Sequence, residues 1–234
     1  MALFNYDKLS NIQINRQESY EYMKDNYLLR KAKDISLDNI RHKSFDIFLS
    51  HSYNDKEIIP ALKKELEKMG YTVYVDWITD SLLSRDEVNS KTAEILQIRM
   101  NQSKCLVYAT SDNSKKSRWM PWELGYFDGI KTKMVGILPI QKENNNFQDD
   151  FKGEEYLGLY FYITIDKLSK ELLHTVMAME RNALQNMKEE MDKVTKLFIQ
   201  NTNNKFVLFD EWLNGKQPYS IEDEMEEIMN KKIL

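Results

Sequence analysis

The sequence predicts an α/β fold in which helices cover both faces of a central parallel sheet. Three observations predict it. Short apolar runs without helical period recur between Phe45 and Ile165. Amphipathic segments of helical period separate them. The runs are apolar almost throughout, as in strands buried on both faces. Strands alternating with helices build βαβ units and a parallel sheet.

The elements follow in order. Residues 1–43 form a polar arm, where Tyr20, Met23, Tyr27 and Leu28 place a helix over about Gln17–Lys33. "FDIFLS" from Phe45 is the first strand. In "NDKEIIPALKKELEKMG", Ile58, Leu62, Leu66 and Met69 share one helical face and Gly70 is the stop. Pro60 either kinks that helix or moves its start to about Ile58. "YTVYVDW" is a second strand, "ITDSLLSRDEVNS" a loop and "SKTAEILQIRMNQS" a second helix. "CLVYATS" is a third strand, "WMPWELGYFDGIK" a third helix, "MVGILPI" a fourth strand and "LGLYFYITI" a fifth.

The main domain therefore spans 44–170, and 171–234 is a helical extension. Leu168, Leu172, Val176, Met179, Ala183, Met187, Met191, Val194 and Phe198 recur by threes and fours. That spacing predicts one apolar stripe on a helix roughly 45–50 Å long, unless it breaks near Asn182. The stripe either packs on the α/β domain or a neighbouring helix, or forms a dimer seam. "FVLFDEWLNG" adds a short apolar segment and "SIEDEMEEIMNKKIL" a last amphipathic helix.

Composition excludes several functions. A formal charge of −4 gives no electrostatic basis for binding nucleic acid. Runs such as "MVGILPI" are too short to cross a bilayer. "MALFNYDKLS" lacks the basic start and apolar run of a secretory leader, so a cytoplasmic protein is expected. The single cysteine, Cys105, permits no internal disulfide. His42, His51 and His174 have no metal-ligand spacing, so no metal is expected. No G-x-x-x-x-G-K-[ST] or G-x-G-x-x-G loop is present to cradle phosphates. The serine and histidine of "LSHS" lack a third partner for a triad.

In an open parallel sheet, functional residues gather where strand C-termini meet loops. Those places are "SHSYND", "DWITDSLLSRD" and "SDNSKKSRW". The densest stretch follows the last of them: "SRWMPWELGYFDG", Ser117–Gly129. Ser117 is the expected N-cap, with Pro121 in the first turn. Trp119, Glu123 and Phe127 share one face, Trp122 and Tyr126 form a neighbouring stripe, and Gly125 and Gly129 leave room for close backbone approach. Glu123 alone has two explanations. An acid near a helix N-terminus gains about 0.3–1 kcal/mol from the dipole. A carboxylate among large aromatics instead needs a donor or ligand to offset its desolvation, as a functional acid does.

In order and spacing, "FDIFLSHSYNDKE", "YTVYVDW", "CLVYATS" and "SRWMPWELGYFDG" resemble a bacterial TIR (Toll/interleukin-1 receptor) domain over about residues 44–170. "FLSHS" and the pair Trp119-x-x-x-Glu123 are the specific pieces. The chain looks most like the standalone TIR proteins of bacterial anti-phage systems such as Thoeris. The resemblance implies a flavodoxin-like sheet and cleavage of NAD at the nicotinamide–ribose bond, with NAD as substrate and no cofactor. The products would be nicotinamide and ADP-ribose or a cyclic isomer acting as a signal.

Glu123 holds the position of the family's catalytic glutamate. Ser50, His51 and Ser52 would line the NAD site, and Trp119 would wall its nicotinamide–ribose side. Trp77 and the segment through Arg85 and Asp86 correspond to the family's BB loop, which in many relatives covers the pocket and meets a neighbouring protomer. Arg85 either pairs with a phosphate or is a solvated loop arginine; His51 either contacts the ligand or is a hydrogen-bonded strand-end histidine. The family also implies a homo-oligomer through TIR–TIR contacts; with no nuclease, protease or pore segment visible in the sequence, a separate effector that senses the product is expected. A non-enzymatic TIR–TIR interaction module is the alternative, and a nucleoside deoxyribosyltransferase is a second, opposed by the ordered motifs. Two departures bear on loop geometry and assembly. "SLLSRDEVNS" replaces the glycine-aspartate-serine-leucine run of many relatives, and Pro60 interrupts a helix usually free of proline.

Overall fold

Residues 4–12, 43–80, 90–141, 155–167, 195–200 and 205–219 are described by a computed structural model of the chain. A two-residue strand, β1 (Phe4–Asn5), leads into helix α1 (Tyr6–Asn11), whose Lys8 N–H is capped by the Asn5 side chain at 2.8 Å. The chain divides into two units, Asn5–Asn146, and Met1–Phe4 with Phe147–Leu234.

The unit Asn5–Asn146 holds the parallel strands β2 (Phe45–Ser50), β3 (Val73–Tyr74), β4 (Ser103–Thr110) and β5 (Val135–Gln141), in the order β3-β2-β4-β5. Ile47, Phe48 and Leu49 of β2 are buried consecutively, as are Cys105 to Ala109 of β4. Both faces of these strands are therefore covered, which is why they read as continuous apolar runs. Besides α1, the α-helices among the described residues of this unit are α2 (Ile59–Lys68), α3 (Asp76–Thr79), α4 (Ser90–Gln102) and α5 (Trp119–Ile130). Pro60 sits in the first turn of α2, where its missing N–H costs nothing, so the helix starts at Ile59, just before the proline, instead of kinking there. Gly70 ends the segment at φ +98°, a conformation that favours glycine.

Two expectations are corrected in this unit. "YTVYVDW" is not one strand: β3 stops at Tyr74, and Asp76–Thr79 turns into α3. Its alternating aromatic and β-branched residues suit a strand, but Tyr74 and Asp80 side chains close on each other and fold the chain back. Gly125 and Gly129 bring no backbone close. An added Cβ at either would meet nothing within 4 Å, because both face away from the buried Trp119, Glu123 and Phe127.

The second unit holds β6 (Phe161–Lys167), β7 (Thr195–Gln200) and β8 (Phe206–Leu208), each antiparallel to the next, and helix α6 (Phe209–Leu213) with Phe209 and Trp212 buried. Here the predicted long helix is overturned at its end, since Phe198 lies in β7, paired with Thr164 and Leu208. Leu197, Phe198 and Ile199 are all buried. A short apolar run of this kind contributes to a helical stripe by coincidence of spacing. The rest of the stripe, the arm helix and the last helix fall outside the described residues. Among the described residues no helix is long and apolar enough to cross a membrane.

Candidate active site

Ser50 ends β2, in register with Tyr108 of β4, at the carboxyl edge of the parallel strands. Its hydroxyl donates to Oε2 of Glu123 at 2.6 Å, and both residues have no exposed surface. The bond joins residues 73 positions apart. It has the length of a hydroxyl–carboxylate hydrogen bond, a charge-assisted type about twice as strong as neutral ones. Glu123 projects from the second turn of α5. Arg118 occupies the N-cap without a side-chain bond, while Ser117 one residue earlier accepts from Met120 N–H at 3.3 Å. The dipole effect fades within the first turn. A helix-start role therefore explains Glu123 less well than its bond to Ser50 does.

His51 follows directly and is fully buried. Its Nδ1 lies 2.9 Å from the Leu49 carbonyl oxygen, and its Nε2 accepts from the Trp77 indole N–H at 2.8 Å. A carbonyl can only accept, so Nδ1 carries the proton and the ring is the neutral tautomer. Asp76 Oδ1 stands 3.8 Å from Nε2. Both ring nitrogens are thus engaged by the protein, and the half-buried Trp77 is oriented by His51. Ser52, also buried, caps the turn Tyr53–Asp55 by accepting from Asn54 N–H at 3.3 Å.

Trp119 is 8% exposed and packs edge-on against Trp122 with centroids 5.4 Å apart; Trp122 stacks on Tyr126 at 5.8 Å. The buried Trp119 indole N–H finds no acceptor among the described residues. Such an orphan donor costs about 1–3 kcal/mol, which a ligand acceptor would relieve. Arg85 and Asp86 lie outside the described residues.

Two further clusters frame these groups. Asp55, buried at the end of the turn after β2, accepts from Ser111 Oγ at 2.6 Å and Asn113 Nδ2 at 2.7 Å. The loops that follow β2 and β4 are thereby tied together. The second cluster brackets α3. Arg99 of α4 donates through Nε and a terminal nitrogen to the two oxygens of Asp80, each at 2.7 Å, and Tyr74 Oη donates to Asp80 Oδ2 at 3.0 Å. The guanidinium also lies over the Tyr74 and Phe45 rings at 5.6 and 5.7 Å. Burial works against the Arg99 charge, but the bonds and charge of Asp80 outweigh it and hold its pKa above the ordinary value. Burial, then the Asp80 and Asp76 charges, push the Tyr74 hydroxyl well above its usual range.

A TIR domain profile matches residues 47–171, more than half of the chain. This chain belongs to the TIR domain family. It is 46% identical over 164 residues to "Probable 3' cyclic ADP-D-ribose synthase ThsB'" of Bacillus cereus (strain MSX-D12), covering 70% of this chain and 83% of that protein. It is 33% identical over 155 residues to a Cytobacillus dafuensis protein named for cyclic ADP-D-ribose synthesis, TIR2, covering 64% of this chain and 39% of that one. The TIR match runs from Ile47 within β2 through β6 and takes in every residue of the clusters above except Phe45.

Of the TIR positions taken from the sequence, the structure brings Ser50 onto Glu123 and His51 onto Trp77, with Ser52 buried beside His51 in the chain. Sequence reasoning missed Asp55, Ser111, Asn113, Tyr74, Asp80 and Arg99. "SHSYND" and "SDNS" mark two loops as functional, but their mutual hydrogen bonds join residues 56 and 58 positions apart and leave no local pattern. Arg99 falls on the polar-looking "QIRMNQ" end of a helix, where an arginine reads as solvated although this one is 3% exposed.

Proposed function

We propose that this TIR protein cleaves NAD at the nicotinamide–ribose bond, with Glu123 as the catalytic carboxylate, and converts the ADP-ribose moiety to a cyclic isomer that serves as an anti-phage signal. The observation that carries the proposal is the buried Ser50–Glu123 hydrogen bond at the carboxyl edge of β2. The names of the two relatives, both for cyclic ADP-D-ribose synthesis, support the product class.

The chemistry asks little of the protein beyond a single placed carboxylate. The C1′–N bond of the cationic pyridinium breaks, its electron pair goes to nitrogen, and nicotinamide leaves neutral without an acid. The ribose becomes oxocarbenium-like. A carboxylate beside it orients the sugar hydroxyls and offsets the charge, as a carboxylate does in glycoside hydrolysis. Ring closure then forms a bond from a nucleophilic atom elsewhere in ADP-ribose to C1′; that atom supplies the electron pair, and the proton it gives up passes to the Glu123 carboxylate or to water. Water competes for that carbon, so a site that shuts water out around Glu123 once NAD is bound favours closure over hydrolysis. Access of NAD to a carboxylate with no exposed surface requires movement of the groups around it, which suits an enzyme awaiting a trigger.

Ser50 holds Glu123, Trp119 walls the nicotinamide–ribose side with its indole N–H available to the substrate, and Ser52, His51 and Trp77 complete that side. Arg85 pairs with a phosphate. The protein acts in the cytoplasm as a homo-oligomer through TIR–TIR contacts, with a separate effector that senses the product.

The test is nicotinamide release followed by chromatography, at high protein concentration and with phage-infected lysate as activator. Wild type is expected to release nicotinamide, and Glu123→Gln to release it at least about 100-fold more slowly, the scale of losing a principal electrostatic group. Equal release by both would refute the assignment of Glu123. No release by wild type under any activating condition would favour a non-enzymatic TIR interaction module.

A further inference from the structure

We infer that Arg99 is a positioning residue of the NAD site, acting through α3 and the Trp77–His51 hydrogen bond on the end of β2. The inference rests on the NAD-cleaving function proposed above.

Arg99 grips residues on both sides of α3. Tyr74 precedes that helix and lies under the guanidinium; Asp80 follows it and takes the two-pronged bond. The Tyr74 hydroxyl closes the ring by donating to Asp80. Between the two anchors, Val75–Thr79 is held by its own bonds: Thr79 N–H to Val75 O at 2.8 Å and Asp80 N–H to Asp76 O at 2.7 Å. The turn therefore moves as one body, and Arg99 sets where it stands.

What that body carries is the link to the site. Trp77 donates to His51 Nε2, while His51 Nδ1 is fixed to Leu49 O. His51 adjoins Ser50, whose hydroxyl meets Glu123 at 2.6 Å. Displacing Asp80 thus displaces Trp77, the His51 ring and the peptide that aims Ser50. Displacements near 1 Å can cost about 100-fold in rate when they misplace reacting groups. A lysine keeps the charge of Arg99 but cannot span two carboxylate oxygens with a planar fork. Tyr74→Phe keeps the buried ring and removes only the hydroxyl contact.

The experiment compares wild type, Arg99→Lys and Tyr74→Phe full-length chains in nicotinamide release. In parallel, the Trp77 indole N–H is followed by NMR, its resonance assigned with Trp77→Phe. Arg99→Lys is expected to lower kcat ten- to a hundredfold and Tyr74→Phe two- to fivefold. KM should stay within about twofold, because the loss falls on the transition state and not on ground-state binding. In both variants the Trp77 resonance should move upfield as its bond to His51 loosens. Wild-type kcat and an unmoved Trp77 resonance in folded Arg99→Lys would overturn the inference and leave the NAD-cleaving function standing. If Arg99→Lys does not fold, the same two readouts in Tyr74→Phe decide. If wild type releases no nicotinamide, the proposed function is what fails, and the Trp77 resonance still decides whether Arg99 positions α3.

Discussion

A carboxylate and a hydroxyl 2.6 Å apart inside a protein divide the work of folding and chemistry unequally. A glutamine at Glu123 presents an amide oxygen to Ser50 Oγ and keeps the hydrogen bond. An alanine at Ser50 leaves a buried carboxylate with one donor fewer, a loss of about 1.5–3 kcal/mol for a bond to a charged group. Glu123→Gln is therefore expected to melt near wild type and to lose activity, while Ser50→Ala melts lower and also loses activity. Thermal melts beside the nicotinamide assay check the pair; a Ser50→Ala chain as stable as wild type would show that the bond carries no stability. Glu123 was legible in the sequence because a lone acid among Trp119, Trp122 and Phe127 is conspicuous at helical spacing. Its hydrogen-bond donor was visible only within "FLSHS". Nothing local says which of two serines faces the acid until the strand is placed on its neighbours. The tautomer of His51 follows only from the positions of Leu49 O and Trp77 Nε1, since a sequence carries no ring orientation.

At the level of elements, β2 is fastened at both ends by different chemistry. Its carboxyl end meets α5 through Ser50. Its amino end meets β3 through Asp46 and Thr72: Asp46 N–H donates to Thr72 Oγ1 at 2.8 Å, and Thr72 N–H and Oγ1 donate back to Asp46 Oδ2 at 2.8 and 2.7 Å. Lys104 of β4 pairs with the other oxygen at 2.9 Å. Burial tends to raise the Asp46 pKa, but the bonds from Lys104 and Thr72 prevail and hold it below the usual carboxylate value. A carboxylate depressed on folding adds stability that is complete above its unfolded pKa, near 3.9, and is lost as pH falls through the lower folded value. Asp46→Asn should cost about 1–2 kcal/mol at pH 7, a charged hydrogen bond discounted for partial exposure. The gap from wild type should shrink below about pH 4. Denaturant titrations at pH 7 and pH 3 check this, and a gap of equal size at both would refute it. The strand–helix order was legible because buried parallel strands are apolar throughout while the helices keep a polar face. β7 was not, since "KLFIQ" satisfies a spacing of threes and fours and a run of buried residues equally well. The shortness of β3 was hidden too, because Tyr74 meets Asp80 through side chains that pattern alone does not join.

For the whole molecule, the groups that would hold NAD fall in one of the two units: Ser50, His51, Ser52, Trp77, Trp119 and Glu123 all lie within Asn5–Asn146. A ligand that binds the folded state alone stabilises it by about 2.7 kcal/mol at 100 times its Kd. For a chain of this size, each kcal/mol moves a melting temperature by about 2–4 °C. NAD at that excess should therefore raise the melting temperature of Glu123→Gln by roughly 5–10 °C. That variant is the right host because it keeps the Ser50 bond and does not consume the ligand. If the covered carboxylate opens only in a fraction of molecules, the apparent Kd rises by the inverse of that fraction. The shift then appears at higher NAD, and earlier in chain treated with the activator. Should the two units melt separately, the shift belongs to the step that unfolds Asn5–Asn146, and the other step stays in place. Calorimetry with NAD, nicotinamide and ADP-ribose separates the outcomes. A shift with NAD exceeding that of either fragment supports a site spanning the scissile bond. No shift with any of the three, at any concentration and with activator present, is the behaviour of a TIR module that binds only other TIR domains.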